Sequence, residues 1–142
     1  MADFRVVSTK LEQIEQYHAE LRGKQQTLSR EAFLEDTTEQ RAVERMFENA
    51  IQACADLAQH IATQDYEYQG ETSKGALRTL GTHGVIAEDT MQDLVAAVGF
   101  RNILAHEYGE VEYEEVYNLL QTELDVYNAF SRQVAQWMSG RE

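Results

Sequence analysis

The stretch TTEQRAVERMFENAIQACADLAQHI, residues 37–61, decides the fold. Val43, Met46, Phe47, Ala50, Ile51, Cys54, Leu57, Ala58 and Ile61 recur at steps of three and four, the period that lines one face of an α-helix. Thr37, with Gln40 three residues later, reads as a capping box that opens this helix. Upstream, Phe4, Val7, Leu11, Ile14 and Leu21, with His18 among them, form a second stripe that runs to Gly23. Ser29 is suited to cap a short helical turn through residue 35. Downstream, residues 63–73 lapse into polar and aromatic side chains around Gly70 and read as a loop. Residues 73–80 make two helical turns closed by Gly81 and Gly84. A helix is predicted over 85–106, with Met91, Leu94, Val95, Val98, Ile103 and Leu104 inward and Gly109 as its stop. The last helix is predicted as one piece over 112–138, burying Tyr113, Val116, Tyr117, Leu120, Leu124, Tyr127, Val134 and Trp137.

Four long helices with short connections predict an all-α fold, an antiparallel four-helix up-and-down bundle with one or two short extra helices. The 142 residues are expected to form a single domain, 1–142. The chain has no proline, where average usage of about 5% would give roughly seven. Because proline breaks helix interiors, its absence suits a chain that is helical almost throughout. No apolar run approaches the ~20 residues of a membrane span, and the N-terminus lacks the basic region and apolar core of a secretory signal. A cytoplasmic protein is therefore expected. The single cysteine, Cys54, can make neither an internal disulfide nor a thiolate metal cluster.

Twenty-five acidic residues against 12 basic ones leave a formal net charge of −13. The acids are spread over every segment, which describes a solvated, self-repelling surface better than a focused docking patch. This charge opposes long-range attraction to nucleic acid, where Lys and Arg normally supply the affinity. In concentrated salt that objection fades, since the Debye length falls to about 3 Å at ~1 M.

The four histidines are the natural places to look for chemistry. Glu15 and His18 have the Glu-x-x-His spacing of carboxylate-bridged di-iron bundles, but the sequence contains no second such motif, and a rim pair is expected. His60, near the end of its helix, reads as a structural residue suited to the helix dipole, and His83 lies in a glycine-flanked turn. Cys54 sits on the apolar stripe and reads as a small buried hydrophobe. No metal-ligand set, phosphate loop or nucleophile elbow is found.

The segment GFRNILAHEYG, residues 99–109, is different. It gathers Arg101, Asn102, His106, Glu107 and Tyr108 at a predicted helix end, and nothing basic follows Arg101 until Arg132. Asn102 and His106 share one helical face, while Arg101, Ala105 and Tyr108 line another. Arg101 and His106 are about 140° apart on an ideal helix, a splay that can still converge at a two-fold axis where each chain lends residues to a shared cleft. The plainer alternative is a polar helix terminus with a dipole-paired histidine and an arginine salt bridge.

Arg101, His106 and Tyr108 form the Arg-x4-His-x-Tyr signature, and here the sequence resembles the HepT-like HEPN ribonuclease toxins. The Gly99-Phe-Arg-Asn lead-in and the helix over 41–61 are similar to that family as well, and the likeness spans residues 11–130. The resemblance implies a helical-bundle homodimer that cleaves RNA, tRNA or mRNA for instance, with no metal or other cofactor. It implies catalytic roles for Arg101, on the scissile phosphate, and for His106, as general base or acid, with Asn102 in support. It also implies a minimal nucleotidyltransferase antitoxin that silences the toxin by transferring AMP to Tyr108, in a type VII toxin–antitoxin system. The alternatives are a non-catalytic HEPN module that binds a nucleotide or partner, and a purely structural helical dimer.

Overall fold

The computed structural model describes residues 1–106 and 111–141, with the side chains of Ala105 and His106 left out. Among the described residues there are seven helices: α1 (Phe4–Thr27), α2 (Arg30–Glu35), α3 (Thr37–Tyr66), α4 (Ser73–Thr82), α5 (Glu88–His106), α6 (Tyr113–Thr122) and α7 (Asp125–Ser139). The bundle is a ring in which α1 packs on α3, α3 on α5, α5 on α7 and α7 back on α1. The expected all-α bundle is what forms. No helix among the described residues is long and apolar enough to cross a membrane.

The stripe of α3 explains why that helix is central. Val43, Phe47, Ile51, Leu57 and Ile61 are each at most 1% exposed, against Ile14 and Leu21 of α1 and Leu77 and Leu80 of α4. Each such aliphatic side chain contributes about 1.5–3 kcal/mol on full burial. Ser29 caps α2 as the sequence predicts, its hydroxyl accepting the Ala32 N–H. The opening of α3 differs from the predicted capping box. Asp36 is the cap, accepting the Glu39 N–H, and the Gln40 amide turns back to donate to the Phe33 and Leu34 carbonyls at the end of α2.

Four further differences have local causes. First, α3 runs past residue 62 to Tyr66, because its polar last turn is held from outside. Asp65 pairs with Arg141 at 2.6 Å, while Tyr66 stacks on His83 at 4.1 Å and accepts the Trp137 indole N–H. Second, α5 begins at Glu88 rather than at residue 85. Gly84 adopts φ +73, and the Val85 N–H closes back on the Leu80 carbonyl, so Val85 and Ile86 are buried in a turn. Gly81 lies inside α4, where a Cβ would come within 3.0 Å of Met91 Cγ, so the glycine permits the close approach of α4 and α5.

Third, the last helix is two. The Gln25 side chain of α1 donates to the Leu120 and Gln121 carbonyls, which an unbroken helix would have used itself, and the chain restarts at Asp125. Fourth, Phe4 and Ile103, placed inward by the periodicity, are 59% and 67% exposed. Phe4 is the first residue of α1, and Ile103 lies on the face of α5 turned away from the one that buries Leu104.

Candidate functional site

The site is built on the last turns of α5. Phe100 meets Phe47 of α3 edge to face, with ring centroids 5.9 Å apart, and Leu104 is buried one turn later. These two contacts fix the roll of α5, so Arg101 and Asn102 fall at the α3 side of the bundle surface, each half-buried. The Arg101 guanidinium is held by two neutral amides. One Nη donates to Gln52 Oε1 of α3 and the other to Asn102 Oδ1 at 2.7 Å. Arg101 Nε is buried and has no hydrogen-bond partner among the described residues.

Beyond Gln52 the polar contacts continue. Gln52 Nε2 donates to Asp56 Oδ1 at 2.7 Å, and Lys10 of α1 pairs with Asp56 Oδ2 at 3.4 Å. Gln52, Asp56 and Lys10 line an open depression of 120 Å³ between α1 and α3, together with Gln13, Tyr17 and Asn49. On the other side of α5, the Lys74 ammonium lies beside Gly99, 3.5 Å from where a Cβ would stand.

The predicted site residues are therefore brought together in part. Arg101 and Asn102 are in direct contact. His106 is the last residue of α5, one and a half turns from Arg101, and its side chain lies outside the described residues, as do Tyr108 and Gly109. No carboxylate among the described residues pairs with Arg101, so the salt-bridged arginine of the plainer alternative is not found there. What sequence reasoning missed is the contribution of α3 and α1. Gln52 and Asp56 are ordinary polar residues on the outer face of an amphipathic helix, and nothing in their spacing points to Arg101.

The remaining histidines and the cysteine are structural. His60 Nε2 accepts the Asp3 N–H and so ties the start of α1 to α3. His83 stacks on Tyr66. Half-buried His18 has its pKa lowered, mainly by burial and then by the Arg22 charge, with Asp125 opposing. Cys54 is fully buried, and burial pushes its thiol far above the ordinary range, which leaves it unsuited to nucleophilic work.

Comparisons with known proteins bear on this site. The tRNA nuclease HepT of Aphanizomenon flos-aquae is 25% identical over 133 residues, 94% of this chain and 90% of that protein. The mRNA nuclease HepT of Shewanella oneidensis is 29% identical over 98 residues, 69% of this chain and 74% of that protein. Among solved structures, the tri-AMPylated HEPN toxin of Shewanella oneidensis in complex with its MNT antitoxin superposes with a TM-score of 0.84, at 24% identity, covering 96% of this chain and 99% of that one. The family model for ribonuclease HepT-like proteins matches residues 10–134, from within α1 into α7, and the chain belongs to that family.

Proposed function

We propose that the protein is an RNA endonuclease toxin, acting as a homodimer and silenced by AMP transfer to Tyr108 from a nucleotidyltransferase antitoxin. The single observation that carries the catalytic part is the state of Arg101: its guanidinium is oriented by Gln52 and Asn102, both uncharged, and no carboxylate among the described residues pairs with it. A planar guanidinium held in this way suits a phosphate and the charge that grows on its oxygens in the transition state. His106, five residues on in the same helix, supplies the proton transfer, with an unperturbed pKa of ~6.5 suited to either direction near neutrality. As base it takes the ribose 2′-hydroxyl proton. The 2′-oxygen then attacks phosphorus and the 5′-oxygen leaves, taking a proton from a histidine acting as acid. Two copies of the motif across a two-fold axis allow one His106 to serve as base and the other as acid.

Both curated relatives are named as nucleases of RNA, and the similar Shewanella toxin is AMPylated in complex with its antitoxin, which supports the regulatory half. On Tyr108 an added AMP would bring bulk and negative charge to the motif and exclude RNA phosphates. The net charge of −13 favours a second reading, a module that binds a nucleotide or partner without cutting.

The test is cleavage of tRNA and total RNA in EDTA by wild type, Arg101→Ala and His106→Ala, each confirmed by mass to carry no nucleotide on Tyr108. Cleavage by wild type alone is expected, with each variant down by about a hundredfold or more. No cleavage by any of the three selects the binding module.

A further inference from the structure

We propose that the depression between α1 and α3 is a base-reading subsite for the nucleotide beside the scissile phosphate, and that it discriminates against uracil. The inference rests on the RNA-cleavage reading for its register, but the chemistry of the depression is independent of it.

Gln52 is the link. Its carbonyl oxygen holds Arg101 and its amide nitrogen holds Asp56, so the guanidinium and the depression lie on either side of one side chain. An RNA phosphate on Arg101 thereby leaves an adjoining nucleotide at the mouth of the depression, which at 120 Å³ is open to solvent and suited to a flat group entering from one side. Half-buried Tyr17 lines it and offers a ring for stacking, the sequence-tolerant part of single-strand recognition. Gln13 and Asn49 each carry a donor and an acceptor, so their amides can rotate to suit any base edge.

Asp56 cannot adapt in that way. An ionised carboxylate only accepts. Adenine, cytosine and guanine each present an exocyclic amino group, and carboxylates are established readers of such donors. Uracil presents none, and its one ring N–H is flanked by two carbonyl oxygens that a carboxylate repels. Lys10, paired loosely with the other Asp56 oxygen at 3.4 Å, is placed for the next phosphate.

The experiment is cleavage of a single-stranded RNA library randomised on both sides of the cut, by wild type and Asp56→Asn, with product ends sequenced. Uracil is expected to be depleted about tenfold on one side of the wild-type cut, within the range of a single base-edge contact. Asp56→Asn, whose amide can donate to a carbonyl, should abolish that depletion while still cutting, and Lys10→Gln should slow cleavage of every sequence alike. Cutting by wild type without uracil depletion, or with a depletion that Asp56→Asn leaves intact, overturns the subsite and leaves the nuclease reading standing. If wild type cuts nothing, the nuclease reading falls by itself, and titration of the protein with CMP and UMP decides the subsite by NMR. Shifts at Tyr17 and Asn49 with CMP and not UMP uphold it. Equal shifts, or none, remove it.

Discussion

At the scale of single residues the site depends on the uncharged amides of Gln52 and Asn102 that hold Arg101. A carboxylate in the place of Gln52 would hold the guanidinium as firmly but cancel the charge a phosphate needs. Gln52→Glu is therefore expected to lower kcat/KM for RNA by about tenfold, equivalent to ~1.4 kcal/mol, mainly by raising KM. Gln52→Met, which loses orientation but not charge, should act mainly on kcat. A purely structural Gln52 would instead lower Tm in both variants and leave this split unseen. His18 gives the pH counterpart. Its folded pKa is lowered from 6.5 by burial, so above that value both states are neutral and it contributes nothing to the pH dependence. As pH falls through about 6.5 the unfolded chain takes up a proton that the folded chain resists, and stability is lost until the folded pKa is passed. Between pH ~7.5 and ~5.5 the wild-type Tm should fall, and His18→Gln should fall less.

At the scale of elements the joint between α6 and α7 is the most telling. Gln25 donates to the Leu120 and Gln121 carbonyls at 3.1 and 3.2 Å, the Gln121 amide returns a bond to the Gln25 carbonyl at 3.3 Å, and Tyr117 donates to the Leu28 carbonyl at 3.1 Å. The C-terminal ends of α1 and α6 are thus cross-linked side by side. Gln25→Met keeps the volume and removes the donor, and is expected to cost about 1–2 kcal/mol, or roughly 3–8 °C in Tm, read by calorimetry. An unchanged Tm would mean that water serves these carbonyls equally well. The same joint shows where sequence reading stops. Val116, Leu120, Leu124 and Tyr127 carry one apolar phase straight through the break, and the residue that makes the break is 95 positions away. Arg101, Asn102, His106 and Tyr108 were legible because they fall within eight consecutive positions of the sequence. Gln52 and Asp56 become part of the same surface only when α3 packs on α5 and α1, a fact no local pattern contains.

At the scale of the molecule the open question is how a chain of net charge −13 handles an anionic substrate. Most nucleic-acid-binding proteins lose affinity steeply with salt, because each phosphate contact releases a counterion. Among the described residues Lys10 and Arg101 lie on one side of α5 at the site and Lys74 on the other. A slope set by two or three phosphate contacts is shallow, and long-range repulsion from the acidic surface acts against it. Added salt screens that repulsion at distances beyond a Debye length, while contacts made within a few ångströms of Arg101 are screened less. The two effects together predict that kcat/KM for RNA stays level or rises from about 20 mM to ~0.3 M NaCl and declines only gently beyond. Self-repulsion among the 25 acidic side chains is relieved over the same range, so Tm should rise as well. A steep, monotonic fall of activity with salt, at a Tm that does not move, would mean that a basic surface larger than these three residues engages the RNA. In a homodimer such a surface would have to be assembled from both chains at their shared cleft.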